Sequence, residues 1–231
     1  MRLCVVIPAY NAEDTVGDVV TGVKKYLQDV LVIDDGSKDN TAVAAEAAGA
    51  VVIRQSENLG KGDALKTGFR YAIEKNYDAV ITIDADGQHY PDEMPKLIEK
   101  YEEGKHQIIV GSRMHDRSCM PKYRYRCNIV GVILISVAAR QYITDTQSGY
   151  RLYDVGMLKN INIQFPRFQT ESEILIKAGK KGYKIASVPI KAVYNDRTET
   201  KSHFKRVADT YNICILVLKS CLWSKKTLRC F

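Results

Sequence analysis

The sequence predicts an α/β fold, a mainly parallel sheet with helices on both faces. Two observations carry this. Short β-branched runs alternate with helix-like segments through the first half of the chain. The residues with chemical potential cluster just after those runs, where open α/β sheets bind ligands. The expected strands are Leu3–Ile7, Val30–Ile33, Ala50–Arg54, Ala79–Ile83 and Gln107–Val110, and the helices between them are Thr15–Leu27, Thr41–Ala48, Lys61–Lys75 and Pro91–Glu103. Asn40-Thr41 supplies an N-cap before an Ala-rich run, and Gly49 follows as its C-terminal stop. Asn58–Gly62 sets two glycines and a lysine ahead of a helix, the composition of an ordinary loop and also of an anion cradle. It matches neither G-x-x-x-x-G-K-[ST] nor G-x-G-x-x-G.

The second half is less regular. Tyr123–Arg140 reads as a helix, with Arg124 and Arg126 leading into the apolar run Ile129–Ala139. A loop covering Thr144–Arg151 follows, then a helix at Glu171–Gly179 and a strand within Tyr183–Val193. Phe204–Trp223 reads as a largely apolar helix backed by Lys225, Lys226 and Arg229. It divides the chain into a unit over residues 1–206 and a C-terminal helix and basic tail over 207–231.

With 231 residues, 45% of them hydrophobic, the chain can bury one sizeable core. No secretory signal is expected, because Met1-Arg2 leads straight into a strand-like run, and no apolar run nears the ~20 residues of a membrane span. The six cysteines form no C-x-x-C pair and have no His at zinc spacing, so a reducing, cytoplasmic setting without disulfides is expected. The net charge of +7 hides an asymmetry: residues 1–115 carry 13 Lys and Arg against 19 Asp and Glu, whereas residues 116–231 carry 21 against 8. A basic half suits phosphates or an anionic membrane surface. It lacks the aromatic interleaving of a nucleic-acid platform, and the acidic half would repel such a partner, so no nucleic acid is expected.

The sharpest signal is Asp84-Ala85-Asp86-Gly87-Gln88-His89, directly after the apolar run Ala79–Ile83. Side chains alternate along a strand, so positions 84 and 86 point the same way. Two buried carboxylates side by side are costly without a cation between them. Gly87 lets the chain bend so that Gln88 adds a third oxygen, and oxygen ligands suit Mg²⁺ or Mn²⁺, which keep positions for water and substrate phosphates. Solvated aspartates at a strand end are the plainer reading of an isolated Asp-x-Asp.

Taken in order, VVIPAYNAE (5–13), VIDDGSKDNT (32–41), NLGKGDAL (58–65), DADGQH (84–89), GSR (111–113) and DTQSGYRLY (145–153) resemble the family 2 glycosyltransferases of GT-A fold. More narrowly they resemble dolichyl-phosphate and polyprenyl-phosphate sugar synthases, over residues 3 to about 206. The resemblance implies a Rossmann-like nucleotide-binding sheet with a basic C-terminal acceptor half. It implies that Pro8, Tyr10, Asn11, Glu13 and Asp35 hold the nucleoside, that Lys61 lies near the donor, and that Asp84, Asp86 and Gln88 carry Mg²⁺ or Mn²⁺ with Asp86 as main anchor. Arg113 and Arg126 would meet the acceptor phosphate, and Asp145, Gln147 and Arg151 would border the sugar pocket. Mannose-type synthases often carry Arg-x-x-Gly-x-Ser-Lys over the donor pyrophosphate; here the stretch is Arg197 to His203, with Thr200 for the Gly and His203 for the Lys. Arg197, Lys201 and Ser202 remain as a clamp, and GDP-mannose is less favoured.

The expected reaction moves a hexose or N-acetylhexosamine, with inversion, from a UDP- or GDP-sugar to dolichyl or polyprenyl phosphate. A lipid monophosphate has a second pKa near ~6 and arrives ionised, so it needs cations rather than a base. A sugar or protein hydroxyl would need one, with Asp145 or Glu171 as candidates. Many relatives add transmembrane hairpins; this chain is expected to act peripherally on the cytoplasmic face of a membrane, as a homo-oligomer or beside a membrane subunit.

Overall fold

The computed structural model describes residues 1–115, 122–166, 169–191, 214–220 and 223. A seven-stranded sheet runs through them in the order β3-β2-β1-β4-β6-β5-β7. Its strands are β1 (Leu3–Ala9), β2 (Val30–Asp34), β3 (Val51–Arg54), β4 (Ala79–Thr82), β5 (Ile108–Ser112), β6 (Arg151–Asp154) and β7 (Ile185–Pro189). All neighbours are parallel except β6, which runs antiparallel to both β4 and β5. The helices are α1 (Val16–Lys24), α2 (Thr41–Ala47), α3 (Lys61–Glu74), α4 (Met94–Glu102), α5 (Lys122–Ala139), α6 (Val155–Lys159) and α7 (Gln169–Lys180). Residues 214–220 are also helical.

The alternation of side chains splits the core in two. Leu3, Val5 and Ile7 of β1 join Val30, Val32 and Ile81 under α1 and α4, which contribute Val16, Val20, Val23, Met94 and Leu97. Cys4 and Val6 face the other way, with Leu31, Ile33 and Val80, against Leu65 and Phe69 of α3, Ile135 of α5 and Ile174 to Ile176 of α7. Both faces of the sheet are therefore covered, which is why the strands read as continuous apolar runs.

Several expectations shift in detail. The segment Pro91–Glu103 starts as a 3-10 turn, Pro91–Glu93, before α4: Pro95 has no N–H to give the Pro91 carbonyl, which accepts from the Met94 N–H instead. Asn40 occupies the N-cap of α2 but makes no side-chain cap bond; Asp39 instead accepts from the Thr41 N–H at 3.0 Å. Gly49 does end that helix, at φ +87°. Strand β6 begins inside the stretch expected to be loop. Residues Arg197, Lys201, Ser202 and His203, the 206/207 boundary and most of the Phe204–Trp223 helix lie outside the described residues, as does the Arg124 side chain. Among the described residues no helix is long and apolar enough to cross a membrane.

Candidate active site

The loops after β1, β2 and β3 are tied into one rim by polar side chains. The Asn11 N–H donates to Ser37 Oγ at 2.9 Å, and Asn11 Oδ1 accepts from the Lys38 N–H at 2.9 Å. Glu13 accepts from the Asn40 N–H at 3.0 Å. Asp35, buried, accepts from the Leu59 and Gly60 N–H groups at 2.9 and 2.8 Å. Burial raises its carboxyl above the usual value while these two donors act against that. Part of the N–H cradle expected at Asn58–Gly62 is thus spent on Asp35. Pro8 is buried in β1, beside Ile33, and Tyr10 is half-buried just beyond.

The acidic centre lies beyond β4. Lys61, the first residue of α3, places Nζ 2.6 Å from Asp84 Oδ1 and 3.3 Å from Oε2 of Glu171 in the first turn of α7. Burial alone would raise the Asp84 carboxyl, but Lys61, helped by His89 and Arg113, holds it below the ordinary range. Asp86 behaves in the opposite way. Burial and the neighbouring Asp84 charge push it up to about 6, against a weaker lowering by the Gln88 N–H, which donates to Asp86 Oδ1 at 3.0 Å. Gln88 and His89 are buried, and burial pushes the His89 imidazole down to about 4.

This donor set fits a divalent cation. Of the two aspartates Lys61 pairs directly with Asp84, and the elevated Asp86 marks the place where a positive charge would relieve like-charge repulsion. Among the described residues no three His, Cys, Asp or Glu form a closed ion-holding group. Two carboxylates, with the amide oxygen of Gln88, would make an open site of the kind Mg²⁺ completes with water and phosphate oxygens.

Gly149 packs against this centre so closely that a Cβ there would lie 2.4 Å from Asp84 Oδ2 and 2.7 Å from Lys61 Nζ. Its carbonyl accepts from Thr82 Oγ1 at 2.8 Å, which anchors the loop to β4. Gly149→Ala is therefore expected to force the Lys61–Asp84 pair apart, costing about 1–3 kcal/mol, the usual overpacking penalty. Chemical denaturation would measure this; an unchanged midpoint would contradict the packing argument.

The third group sits on the basic side. Arg113, just past β5, makes a bidentate pair with Asp145, with Nε to Oδ2 at 2.9 Å and Nη2 to Oδ1 at 3.2 Å. Asp145 is fully buried and also accepts from the backbone N–H groups of Arg113, Gln147 and Ser148, at 3.1, 3.0 and 3.0 Å. Burial would raise its carboxyl, yet Arg113 and these donors hold it at about 2. Arg151 is fully buried; it donates to the carbonyls of Thr146, Ser148 and Glu171 at 2.8, 2.7 and 3.0 Å, so it acts on the site by shaping the loop. Gln147 is half-buried beside Gly131 of α5, where a Cβ would lie 3.4 Å from its Nε2. Arg126 is exposed on α5, at the head of a stripe formed by Val130, Ile133 and Val137, which are 48%, 57% and 73% exposed.

The geometry thus brings Lys61, Asp84, Asp86, Gln88, Arg113 and Asp145 to one end of the sheet. Glu171 was a candidate only as a base; its pairing with Lys61, 110 positions earlier in the chain, leaves no local signal. Gly149 had one signal, its place inside the stretch DTQSGYRLY (145–153).

The sequence matches the family described as Glycosyl transferase family 2 over residues 4–161. It is 33% identical over 214 residues to a UDP-N-acetylglucosamine–dolichyl-phosphate N-acetylglucosaminyltransferase of Methanococcus voltae, covering 83% of this chain and 85% of that protein. It is 30% identical over 216 residues to an undecaprenyl-phosphate mannosyltransferase of Micrococcus luteus, covering 87% of each. Among solved structures, glucosyl-3-phosphoglycerate synthase from Mycobacterium tuberculosis, in complex with Mn²⁺, UDP and phosphoglyceric acid, superposes with a TM-score of 0.76 at 21% identity, covering 95% of this chain and 78% of that one. The fold is the GT-A fold that the motifs imply.

Proposed function

Because the chain belongs to glycosyl transferase family 2 and is a glycosyltransferase, we propose that it moves one hexose or N-acetylhexosamine from a UDP- or GDP-sugar to dolichyl or polyprenyl phosphate, with inversion. The observation that carries the acceptor is the state of Asp145. Its oxygens are taken by Arg113 and three backbone N–H groups, and it is held at about 2. Such a carboxylate is a poor proton acceptor near neutrality. Glu171, the other candidate base, is paired with Lys61. An acceptor that arrives already ionised, as a lipid monophosphate does, suits this arrangement.

In this reading a phosphate oxygen attacks the anomeric carbon as the bond to the nucleoside diphosphate breaks, and the diphosphate leaves with the electron pair. Asp84, Asp86 and Gln88 would hold Mg²⁺ or Mn²⁺, which would neutralise the departing diphosphate. Pro8, Tyr10, Asn11, Glu13 and Asp35 form the rim on which the nucleoside would rest. Arg113, fixed by Asp145, and Arg126 would hold the acceptor phosphate. The relatives from Methanococcus voltae and Micrococcus luteus, named for dolichyl and undecaprenyl phosphate, support the lipid class.

The proposal includes a peripheral position on the cytoplasmic face of a membrane. Supporting it, Arg126, Val130, Ile133 and Val137 recur at helical spacing on one exposed face of α5, an apolar stripe headed by a cation.

The test supplies the purified protein with each UDP- and GDP-sugar and a short polyprenyl phosphate in anionic vesicles. Labelled sugar is expected in the organic phase, with EDTA abolishing transfer and Mg²⁺ or Mn²⁺ restoring it. The protein is expected to sediment with the vesicles. Label confined to a water-soluble glycan would overturn the lipid acceptor, full transfer in EDTA would overturn the metal, and protein left in the supernatant would overturn the membrane position.

A further inference from the structure

Lys61 stands between two carboxylates that the fold brings from distant parts of the chain. Its Nζ is 2.6 Å from Asp84 Oδ1 and 3.3 Å from Glu171 Oε2, and the three side chains are only 17%, 24% and 7% exposed. Glu171 is incompletely used: its second oxygen, Oε1, is buried and has no hydrogen-bond partner. The Glu171 backbone is fixed, since its carbonyl accepts from Arg151 Nη1 at 3.0 Å. Gly149 packs directly against Asp84 and Lys61, where a Cβ would lie 2.4 Å from Asp84 Oδ2 and 2.7 Å from Lys61 Nζ.

These facts pose a problem of charge. An aspartate whose charge is already met by a lysine at 2.6 Å is a poor ligand for a divalent cation. To serve as one it must release Lys61, and a buried ammonium without an anion is strongly disfavoured. A second buried carboxylate, already within ion-pair distance and with an oxygen to spare, removes that obstacle.

We infer that Glu171 is the receiving partner for Lys61: Lys61 holds Asp84 in the absence of a divalent ion and passes to Glu171 when Asp84 turns to the ion. Glu171 is then a positioning residue, acting on the metal site through Lys61 rather than by touching metal or substrate. The inference rests on the metal reading above and adds to it a fixed order: cation entry at Asp84 and Asp86 is coupled to the movement of one lysine. It also gives a reason for burying three charged groups together, because the lysine always has a carboxylate within reach.

The first test needs no variant. Crystals of the wild-type protein soaked in MnCl₂ are expected to show Mn²⁺ at Asp84 and Asp86, with Lys61 on Glu171 and no longer on Asp84. Mn²⁺ bound with Lys61 still on Asp84 would overturn the exchange while leaving the metal reading intact. No Mn²⁺ at Asp84 and Asp86 would overturn both.

The second test measures Mn²⁺ affinity by electron paramagnetic resonance, independently of transfer. Glu171→Gln is expected to weaken Mn²⁺ binding by about tenfold, within the usual range of coupling between sites. In a Lys61→Met background, where Asp84 has no lysine to release, Glu171→Gln is expected to change nothing. Equal weakening in both backgrounds would mean that Glu171 acts only as a nearby negative charge, and no weakening in the wild-type background would mean that it takes no part; either result overturns the exchange.

Discussion

Asp86→Ala is expected to lower transfer by about 10²–10³-fold if it holds the proposed divalent ion, since losing such an ion removes several kcal/mol of transition-state stabilisation. The same substitution is expected to leave the fold at least as stable at pH 7. Asp86 is pushed up to about 6 by burial and by the charge of Asp84, so its ionised form is held against an unfavourable field. Removing it relieves that repulsion, and a gain on the order of 1 kcal/mol is expected, the pattern seen where a site is strained for function. Kinetics with lipid phosphate and a urea melt read the two effects separately. A residue retained for stability would lose both together, and full activity in Asp86→Ala would remove the metal from the account.

The acidic motif was legible because it is local. Asp84 and Asp86 lie two positions apart just past a run whose burial the sequence already announced; β4 ends at Thr82, so they sit in the turn beyond it rather than alternating along the strand as expected, and their closeness in the chain is what keeps them together. The parallel half of the sheet was legible for the same reason, as β1 to β5 each follow a β-branched run. Strand β6 was not. It holds four residues, Arg151 to Asp154, and begins with an arginine that is fully buried. A charged residue in so short a stretch reads as loop; only its antiparallel insertion between β4 and β5, and three carbonyls waiting for the guanidinium, make burial tolerable.

The helix α5 shows the same limit from the other side. Its apolar run predicted a helix correctly, but not which residues face inward. Ile135 and Ala139 are buried, while Val130, Ile133 and Val137, equally apolar, are exposed. The helix is apolar nearly all round, so periodicity could not choose a face; the packing of α5 against α7 did.

The Lys61–Glu171 contact was the least legible feature of all. It joins the N-terminal ends of α3 and α7, and nothing at either position signals the other. Each lysine and glutamate alone has the composition of a solvated helix start. The topology turns them into a buried pair, because α3 and α7 cover the same face of the sheet.

Asp145→Asn is expected to cost about 3–5 kcal/mol of stability, the range for breaking a buried ion pair by removing one partner. Asp145 is fully exhausted as an acceptor: five N–H groups converge on its two oxygens, two from the Arg113 side chain and three from the backbone. An asparagine would turn an NH₂ toward donors and remove the carboxylate charge that Arg113 pairs with in a bidentate geometry, in a site where only 11% of the arginine side chain is exposed. The pH dependence separates this electrostatic loss from a packing loss. The carboxyl of Asp145 lies at about 2 when folded against 3.8 when free, so its contribution is present above 3.8 and fades as the pH falls toward 2. The gap between wild type and Asp145→Asn is therefore expected to narrow by about 2 kcal/mol over that interval in urea melts. A gap that stays constant from pH 5 to about 2 would mean that the carboxylate charge does not hold the loop. Arg113 would then need some other means of staying beside the acidic pair, and the case for it as the anchor of an acceptor phosphate would weaken with it.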